Sequence, residues 1–362
     1  MMPAEQNPSC PDCESAPVPS TPGSAEPSVS LRGPFLARRD FIRVLGTTAA
    51  VAVTGGLTPL QKARAARAEK QAQAEAMIFD LFKSMDADQK KKLVRAWDHG
   101  VVNGKGTPAR LLTHNAADGK SRIGDEYTKK QVELLDRIFR AIGSGEEGYK
   151  QLSRNGRFDA SNDFETIGAL IYGEAAEGKK FSLVFCGHHL TVRCDGNSEE
   201  KTAFGGPLYY GHSPSGYATT NVFYRQTKTA NELFSALSTE QRKTAVMPGK
   251  WKDEHTGVPV PGKNSTVPGL GYADMSREQK ELTQKVMTEL VGPYRKEDGD
   301  EVMEIIKANG GMEKLAMAFY QEGKTNDKEP WSHWRLEGPG FVWSFRALPH
   351  VHTFVNVTSK LS

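Results

Sequence analysis

The sequence predicts an α+β fold in which helices cover an antiparallel sheet. Two stretches rich in β-branched and aromatic residues, about 166–204 and 331–357, predict the strands. Stretches near both ends of the chain carry apolar residues at spacings of three and four, which predicts the helices. The chain has 362 residues. We expect residues 67–362 to form a single domain.

The helices are predicted from periodicity and from their first residues. Residues 69–98 have a helical apolar pattern that is interrupted by a capping sequence. A polar cap followed three positions later by glutamine satisfies the free N–H groups at a helix start. It occurs at Asp86/Gln89, Thr128/Gln131, Ser238/Gln241 and Ser276/Gln279. A further helix is predicted from residue 300 to about residue 322.

The strands are predicted from alternation and turn residues. FSLVFCGHHLTVRC, residues 181–194, is interpreted as one long strand, joined to a preceding strand by an AEGK turn. WSHWRLE and FVWSFRA flank a Gly-Pro-Gly turn and predict a hairpin, which HVHTFVNV follows. Residues 205–220 and 246–273 are rich in Gly and Pro and are predicted to be irregular.

Cysteine usage indicates no disulfide framework. Cys10 and Cys13 form a CPDC motif in a Pro/Ser-rich stretch without a predicted strand or helix, so a redox or metal role is not favoured. On one extended strand, Cys186 and Cys194 would lie roughly 26 Å apart, too far for a disulfide. We interpret both as small core residues.

Residues 1–66 predict a disordered leader and an export signal. Arg38 and Arg39 precede a mildly apolar run, 44–57, which is too short and too weakly apolar for a stable membrane span. This order is typical of a twin-arginine signal peptide, and the alternative is a basic tail before a short buried helix. We therefore expect a periplasmic or secreted protein whose partner is the twin-arginine export machinery, a route that carries folded proteins.

The charge balance does not indicate a partner that is bound through the net charge of the chain. Removal of the leader takes away six of 47 basic and five of 44 acidic residues, which leaves 41 and 39. A nearly neutral domain gives no reason to expect nucleic acid or a membrane surface as a partner. The sequence also lacks the Walker, GxGxxG, HExxH and GxSxG motifs.

Four of the nine histidines occur as two close pairs. His350 and His352 are two apart on a predicted strand, so both imidazoles point to one side. Such a pair is a common source of nitrogen ligands for Zn, Cu or Fe. His188 and His189 would point to opposite faces of a strand, so we expect only one of them to join the same metal. The sequence predicts that the two pairs meet in space.

Further candidates surround these pairs. His333 and His212 are alternatives for a third ligand, and His333 alternates with Arg335 and Glu337 on one strand. Arg335 and Glu337 are candidates for catalysis, with Glu337 as a base or ligand, although the pattern favours a structural ion pair or strand-edge charges. Aromatic residues that form the core, or that line a sugar or aromatic pocket, are Trp331, Trp334, Trp343, Tyr209 and Tyr210.

The order of the motifs carries a family resemblance. GHHL, PxxYGxxP, LSxEQR, DMSxEQKEL, WxxWRLEGP and a terminal HVHT follow one another between about residues 77 and 357. With its motifs in this order, the chain resembles the domain-of-unknown-function family 3500. Members of that family are mostly exported bacterial proteins without a settled activity. The resemblance implies that the motif residues matter, namely Gly187, His188, His189, Arg335, Glu337, Gly338, Pro339, His350 and His352.

The chain departs from the family pattern at two positions. Trp343 or Ser344 stands where relatives carry an acid, and FVNVTSKLS replaces an Arg-Asp continuation after HVHT. If those acids help to hold a metal in relatives, the resemblance implies that this chain binds it differently or not at all.

Two functional hypotheses follow. The first is an exported metalloprotein with a histidine-based mononuclear site that supports hydrolytic or oxidative chemistry. The second is a non-enzymatic binding protein that takes up a small molecule and uses its histidines as hydrogen-bonding groups. A nucleophilic Ser213 beside His212 is a weaker third hypothesis, since no nucleophile elbow surrounds it.

Overall fold

The computed structural model describes residues 73–117, 119–159, 162–248, 258–323 and 325–361. The predicted leader and signal, with Arg38, Arg39, Cys10 and Cys13, lie outside these residues. Within the described part of the chain, no helix has the length and apolar composition needed to cross a bilayer.

Helices and strands confirm the α+β class. Among the described residues, the helices are α1 (73–84), α2 (Ala87–Leu93), α3 (Ile123–Glu126), α4 (Lys129–Ile142), α5 (Glu146–Leu152), α6 (Tyr224–Ala236), α7 (Thr239–Ala245), α8 (Arg277–Val291) and α9 (Lys296–Ala308). The strands are β1 (Val94–Arg95), β2 (Gly168–Gly173), β3 (Phe181–Gly187), β4 (Leu190–Cys194), β5 (Leu208–His212), β6 (Val246–Met247), β7 (Leu270–Gly271), β8 (Ala316–Tyr320), β9 (His333–Gly338), β10 (Phe341–Arg346) and β11 (Val351–Val357).

All these strands belong to one open sheet. Its order is β1-β2-β3-β4-β5-β11-β10-β9-β8-β6, and β7 pairs with β8. Among the strands of the described residues, only β1 with β2 and β6 with β8 run parallel. The predicted antiparallel sheet built from 166–204 and 331–357 is therefore confirmed, and β5 joins its two parts by pairing with both β4 and β11.

The prediction of one long strand over 181–194 is wrong. The segment folds back as the hairpin β3–β4, in which Cys186 pairs with Thr191 and Leu183 with Cys194. His188 and His189 form its two-residue turn, and His189 has a φ of 51°. The prediction missed this turn because it lacks the Gly or Asn that usually supplies a positive φ. Cys186 and Cys194 are both buried and neither is in a disulfide, so the predicted core role is consistent with their burial.

Four more strands, β5, β6, β7 and β8, were also missed. The helix predicted over 300–322 ends at Ala308, where Gly310 and Gly311 adopt φ values of 110° and 80°, and β8 follows. The segment 205–220, predicted to be irregular, contains β5 in the middle of the sheet. The segment 246–273 contains β6 and β7, which are two residues each and too short for a periodic signal.

The sheet has an approximate internal two-fold symmetry. The strand order is the same from either edge when β1 to β5 are matched with β6, β8, β9, β10 and β11. The register agrees as well, because Gly187 and Gly338 both end a strand before a two-residue turn. The axis passes through the central Leu208–Val355 pair of β5 and β11. The chain is therefore built from two similar halves.

The helix starts follow the same symmetry. All four predicted capping boxes are present, two in each half. In the first half, Gln89 Nε2 donates to Gln131 Oε1 at 2.8 Å. In the second half, Gln241 Nε2 donates to Gln279 Oε1 at 2.9 Å. Each glutamine thus caps its own helix and ties that helix to the next one.

The two faces of the sheet differ in chemistry. One face carries a core of large apolar side chains, in which Trp334 stacks on Phe345 and meets Trp343 edge to face. The other face carries polar side chains at alternate positions, including Arg193, Arg346 and His352, and all three are buried. The buried polar face therefore needs partners for its charged and polar groups.

Candidate metal centre

The turn at His188 and His189 is fixed by contacts to its backbone. Asn115 Oδ1 accepts a hydrogen bond from His189 N at 2.8 Å. The buried Arg154 guanidinium donates to the carbonyl oxygens of His189, Leu152 and Gly211. Positive φ at a non-glycine residue costs free energy, so these contacts hold the turn in a conformation that the chain would not adopt by itself.

Asp159 joins three histidines. Its Oδ2 lies 2.6 Å from His188 Nδ1 and 2.8 Å from His189 Nδ1, and its Oδ1 lies 2.7 Å from His212 Nδ1. Burial alone would raise the pKa of Asp159, but the hydrogen bonds of these three imidazoles outweigh it and hold the pKa far below its usual range. Asp159 is therefore ionised, and its carboxylate accepts a hydrogen bond from the Nδ1–H of each of the three histidines. In this tautomer the lone pair of the His189 ring lies on Nε2.

His350 and His352 complete the cluster from the other half of the chain. Their Nε2 atoms are 2.8 Å apart, and the His189 ring lies 5.1 Å from the His350 ring and 4.5 Å from the His352 ring. His189, His350 and His352 each offer a ring nitrogen, and these atoms lie within 4.8 Å of one another. The two histidine pairs predicted to meet in space do meet.

The protonation of His189 suits a ligand. Desolvation lowers its pKa to about 4, although the hydrogen bond that its Nδ1–H donates to Asp159 acts to raise it. A neutral imidazole is the form that binds a metal. His189 and His352 are fully buried, whereas the side chains of His188 and His212 are 24% and 20% exposed. The cluster is thus closed on the sheet side and open to solvent beside His188 and His212.

Arg346 adds a positive charge to the cluster. It lies at the end of β10, opposite His352 on one neighbouring strand and His333 on the other. Its Nε donates to His350 O at 3.4 Å, and one of its terminal nitrogens lies 3.5 Å from His350 Nε2.

The other predicted candidates lie along β9. His333 is in the same row as Arg346 and His352, and its Nδ1 is 2.8 Å from Ser332 Oγ. Arg335 Nε donates to Ser344 Oγ at 3.3 Å. Glu337 lies at the far end of the strand, where burial raises its pKa. A catalytic role for Arg335 or Glu337 stays a prediction, and the structure places Glu337 towards the opposite end of the sheet from the histidines.

Sequence reasoning missed Asp159, Asn115 and Arg154. These three residues lie in segments without regular periodicity, and only their position in space connects them to the turn at His189. Only a weak signal indicates that the segment around Asp159 is functional. Residues 154–162 are unusually polar, and five non-glycine residues among those described adopt positive φ, namely Arg154, Asn155, Phe158, Asp159 and Asn162. Such a concentration of unusual backbone is typical of functional loops.

A separate cleft of about 890 Å³ lies in the second half of the chain. Tyr217, Tyr224 and Asn231 are among the residues that line it, and no histidine of the cluster does. Trp331, Trp334, Trp343, Tyr209 and Tyr210 are buried instead. Their burial agrees with the interpretation as core aromatics and not with the alternative of a pocket lining, and the cleft carries two other tyrosines.

The comparisons identify a family. The family described as "Protein of unknown function (DUF3500)" matches residues 67–358. Because this match covers most of the chain, the chain belongs to that family. A search of curated proteins and a search of solved structures both return no match. The resemblance seen in the motifs is thus confirmed, and the family description assigns no activity.

Proposed function

We propose that this protein is an exported metalloprotein that holds one transition metal ion at His189, His350 and His352. The observation that carries the proposal is the meeting of three buried imidazoles from a turn and a distant strand within 4.8 Å. Buried histidines that are only structural usually have hydrogen-bonding partners of other kinds. Three histidines whose ring nitrogens lie close together are a set of ligands that Zn, Cu or Fe prefers.

A second grouping, Asp159 with His188 and His189, also has ligand atoms within 4.8 Å. We favour the three histidines because both oxygens of Asp159 already accept hydrogen bonds from imidazoles. In this arrangement Asp159 orients His189 by holding its Nδ1–H, a common device beside metal-binding histidines. His188 and His212 share the same carboxylate and line the open side.

Three nitrogen ligands leave room for a further group. A metal held there would supply activation of a water molecule or of oxygen. The chain itself contributes the orientation of His189 by Asp159, the exclusion of water on the sheet side, and two partly exposed imidazoles, His188 and His212, beside the opening. The reaction is hydrolytic or oxidative on this proposal.

Metal analysis of untagged protein tests the proposal. We expect about one equivalent of Zn, Cu or Fe in the wild type after loading and removal of excess metal. The variants His352→Ala and His189→Ala should fall below about 0.1 equivalent, because each removes one of three ligands. His99→Ala is the control, since His99 is exposed and lies outside the cluster. Thermal melting confirms that each variant is folded.

A wild type that retains less than about 0.1 equivalent of every transition metal tested would exclude this function. So would a His352→Ala variant that is folded and keeps its metal. In either case we would favour the second candidate function, uptake of a small molecule without catalysis. That candidate is supported by the cleft beside Tyr217 and Tyr224.

Export by the twin-arginine machinery to the periplasm or beyond is part of the same proposal. It is supported by Arg38 and Arg39 before a short, mildly apolar run. Replacement of both by lysine in the full chain should retain the protein in the cytoplasm, as measured by cell fractionation. Unchanged export of that double variant would contradict this route.

A further inference from the structure

Arg346 differs from the other buried arginines in its partners. Arg110 pairs with Glu199 at 2.9 Å, and Arg154 and Arg193 each donate to three carbonyl oxygens. Arg346, only 8% exposed, has two long contacts, and both go to His350. Within the described residues it forms no ion pair.

A buried guanidinium without a carboxylate or a set of carbonyl partners is unfavourable, because desolvation of its charge is not offset. The fold nevertheless keeps Arg346 in the row between His333 and His352. The partner that would compensate this charge is therefore expected from outside the described chain.

The proposed metal site gives a second reason to expect a compensating partner for Arg346. Arg346 approaches the Nε2 of His350, the atom that also faces His352 Nε2. When that lone pair serves a metal, Arg346 loses an acceptor and gains a positive neighbour. An anion would supply an acceptor for the guanidinium and offset both charges.

We propose that Arg346 binds the oxyanion of a small ligand, a carboxylate or a phosphate, beside the histidine centre. A planar guanidinium fork matches both groups. The opening beside His188 and His212 gives a small anion a route to the site. This inference names the substrate class for the proposed function and rests on it for that role, but the anion binding itself is measurable without a metal.

The test uses the mature chain, metal-free after chelation and again after metal loading. The probes are inorganic phosphate and acetate, titrated calorimetrically at constant ionic strength. We expect one of them to bind saturably to the wild type, and the better probe distinguishes a phosphate ligand from a carboxylate ligand. Arg346→Gln should weaken that binding at least about tenfold, and Arg346→Lys, which keeps the charge but not the fork, should weaken it less.

Arg225→Gln is the matched control, because Arg225 is exposed and pairs with Glu289. If Arg346→Gln does not fold, the Arg346→Lys titration decides. The proposal is overturned if neither anion binds saturably to either form of the wild type, or if binding persists unchanged in the folded Arg346 variants. Metal content is measured on the same samples. Anion binding that depends on Arg346 in a protein without metal affinity would refute the proposed function and leave this inference standing.

Discussion

The two ends of the central strands are related by symmetry but differ in their chemistry. At the histidine end lie the turn His188-His189, Arg346, His350 and His352. At the opposite end, which we call the glycine end, the same positions are occupied by Pro339-Gly340, Asp195, Ala203 and Gly205. One architecture thus carries a histidine cluster at one end and a buried carboxylate among small and turn-forming residues at the other.

The packing at the two ends follows from these residues. At the glycine end, a Cβ on Gly205 would approach the Asp195 carboxylate at 2.7 Å, and the cavity there is only about 10 Å³. At the histidine end, His352 occupies the equivalent position and its ring contributes to the cluster. The histidine cluster therefore depends on side chains that are present at one end only. The backbone that both ends share is not sufficient to form it.

The largest expected difference concerns the residues that tie each turn to the central strand. Arg154 donates to the carbonyls of His189 and Gly211, and at the glycine end Asn309 donates to those of Pro339 and Thr358. Arg154→Met should cost about 3–5 kcal/mol of unfolding free energy, because three buried carbonyls lose a charged donor. Asn309→Ala should cost about 1–3 kcal/mol.

Urea unfolding measures both values, and Arg157→Met, at an exposed position, is the control. Equal losses at the two ends would show that the charged donor adds nothing to the histidine turn, contrary to our account.

The second difference concerns the turns themselves. Gly340 has a φ of 73°, and a Cβ there would collide with Asn309 and Thr358 O. Gly340→Ala should therefore cost about 2–4 kcal/mol, from strain and overlap together. Gly178→Ala has a similar φ of 72° with open space around it, so it should cost only about 1 kcal/mol. Denaturant titration compares the two, and a cost at Gly340 no larger than at Gly178 would argue against the overlap.

The third prediction tests the symmetry where the halves agree. Gln131 donates to Ser84 O and Gln89, and Gln279 donates to Ala236 O and Gln241. Gln131→Ala and Gln279→Ala should each cost about 1–2 kcal/mol, since each removes a cap and a link between helices. Gln321→Ala, at an exposed position, serves as control. A clear inequality between the two halves, measured by thermal unfolding, would show that the glutamine pairs are not equivalent.

The smallest effect is a pH dependence near the glycine end. Although burial raises the pKa of Glu199, hydrogen bonds from Lys360 and Arg110 lower it below its ordinary 4.5. A lowered pKa stabilises the fold above the unfolded pKa, and this stability is lost as the pH falls through the folded pKa. Lys360→Met should cost at most about 1 kcal/mol at pH 7, and the difference should vanish well below pH 4.5.

Unfolding of the two proteins between pH 7 and pH 3 checks this prediction, with the exposed Lys105→Met as control. A difference that persists unchanged at pH 3 would mean that Lys360 stabilises the fold by packing and not through Glu199.

Much of the fold was accessible from local pattern. The capping boxes at Gln89, Gln131, Gln241 and Gln279 were predicted correctly, as was the hairpin around Gly338-Pro339-Gly340. The turn at His188-His189 was not, although it occupies the equivalent place in the first half. The two turns differ in the residue that has a positive φ. Glycine is common at such positions and therefore predicts a turn, whereas histidine does not.

The candidate site was predictable in part. The two histidine pairs were visible because of their spacing in the sequence. Asp159, Asn115 and Arg154 were not visible, since they come from irregular segments and act through contacts with residues 29 to 74 positions away. A periodic pattern carries no information about such contacts.

The sequence by itself determined the α+β class, most helix starts, the strand-rich segments and the two histidine pairs, because burial and capping depend on residues a few positions apart. Only the tertiary structure decided that His189 lies in a turn, that Asp159 holds three imidazoles, and that Arg346 faces the cluster. Strand order and register set these contacts, and the same alternation of residues is compatible with many orders and registers.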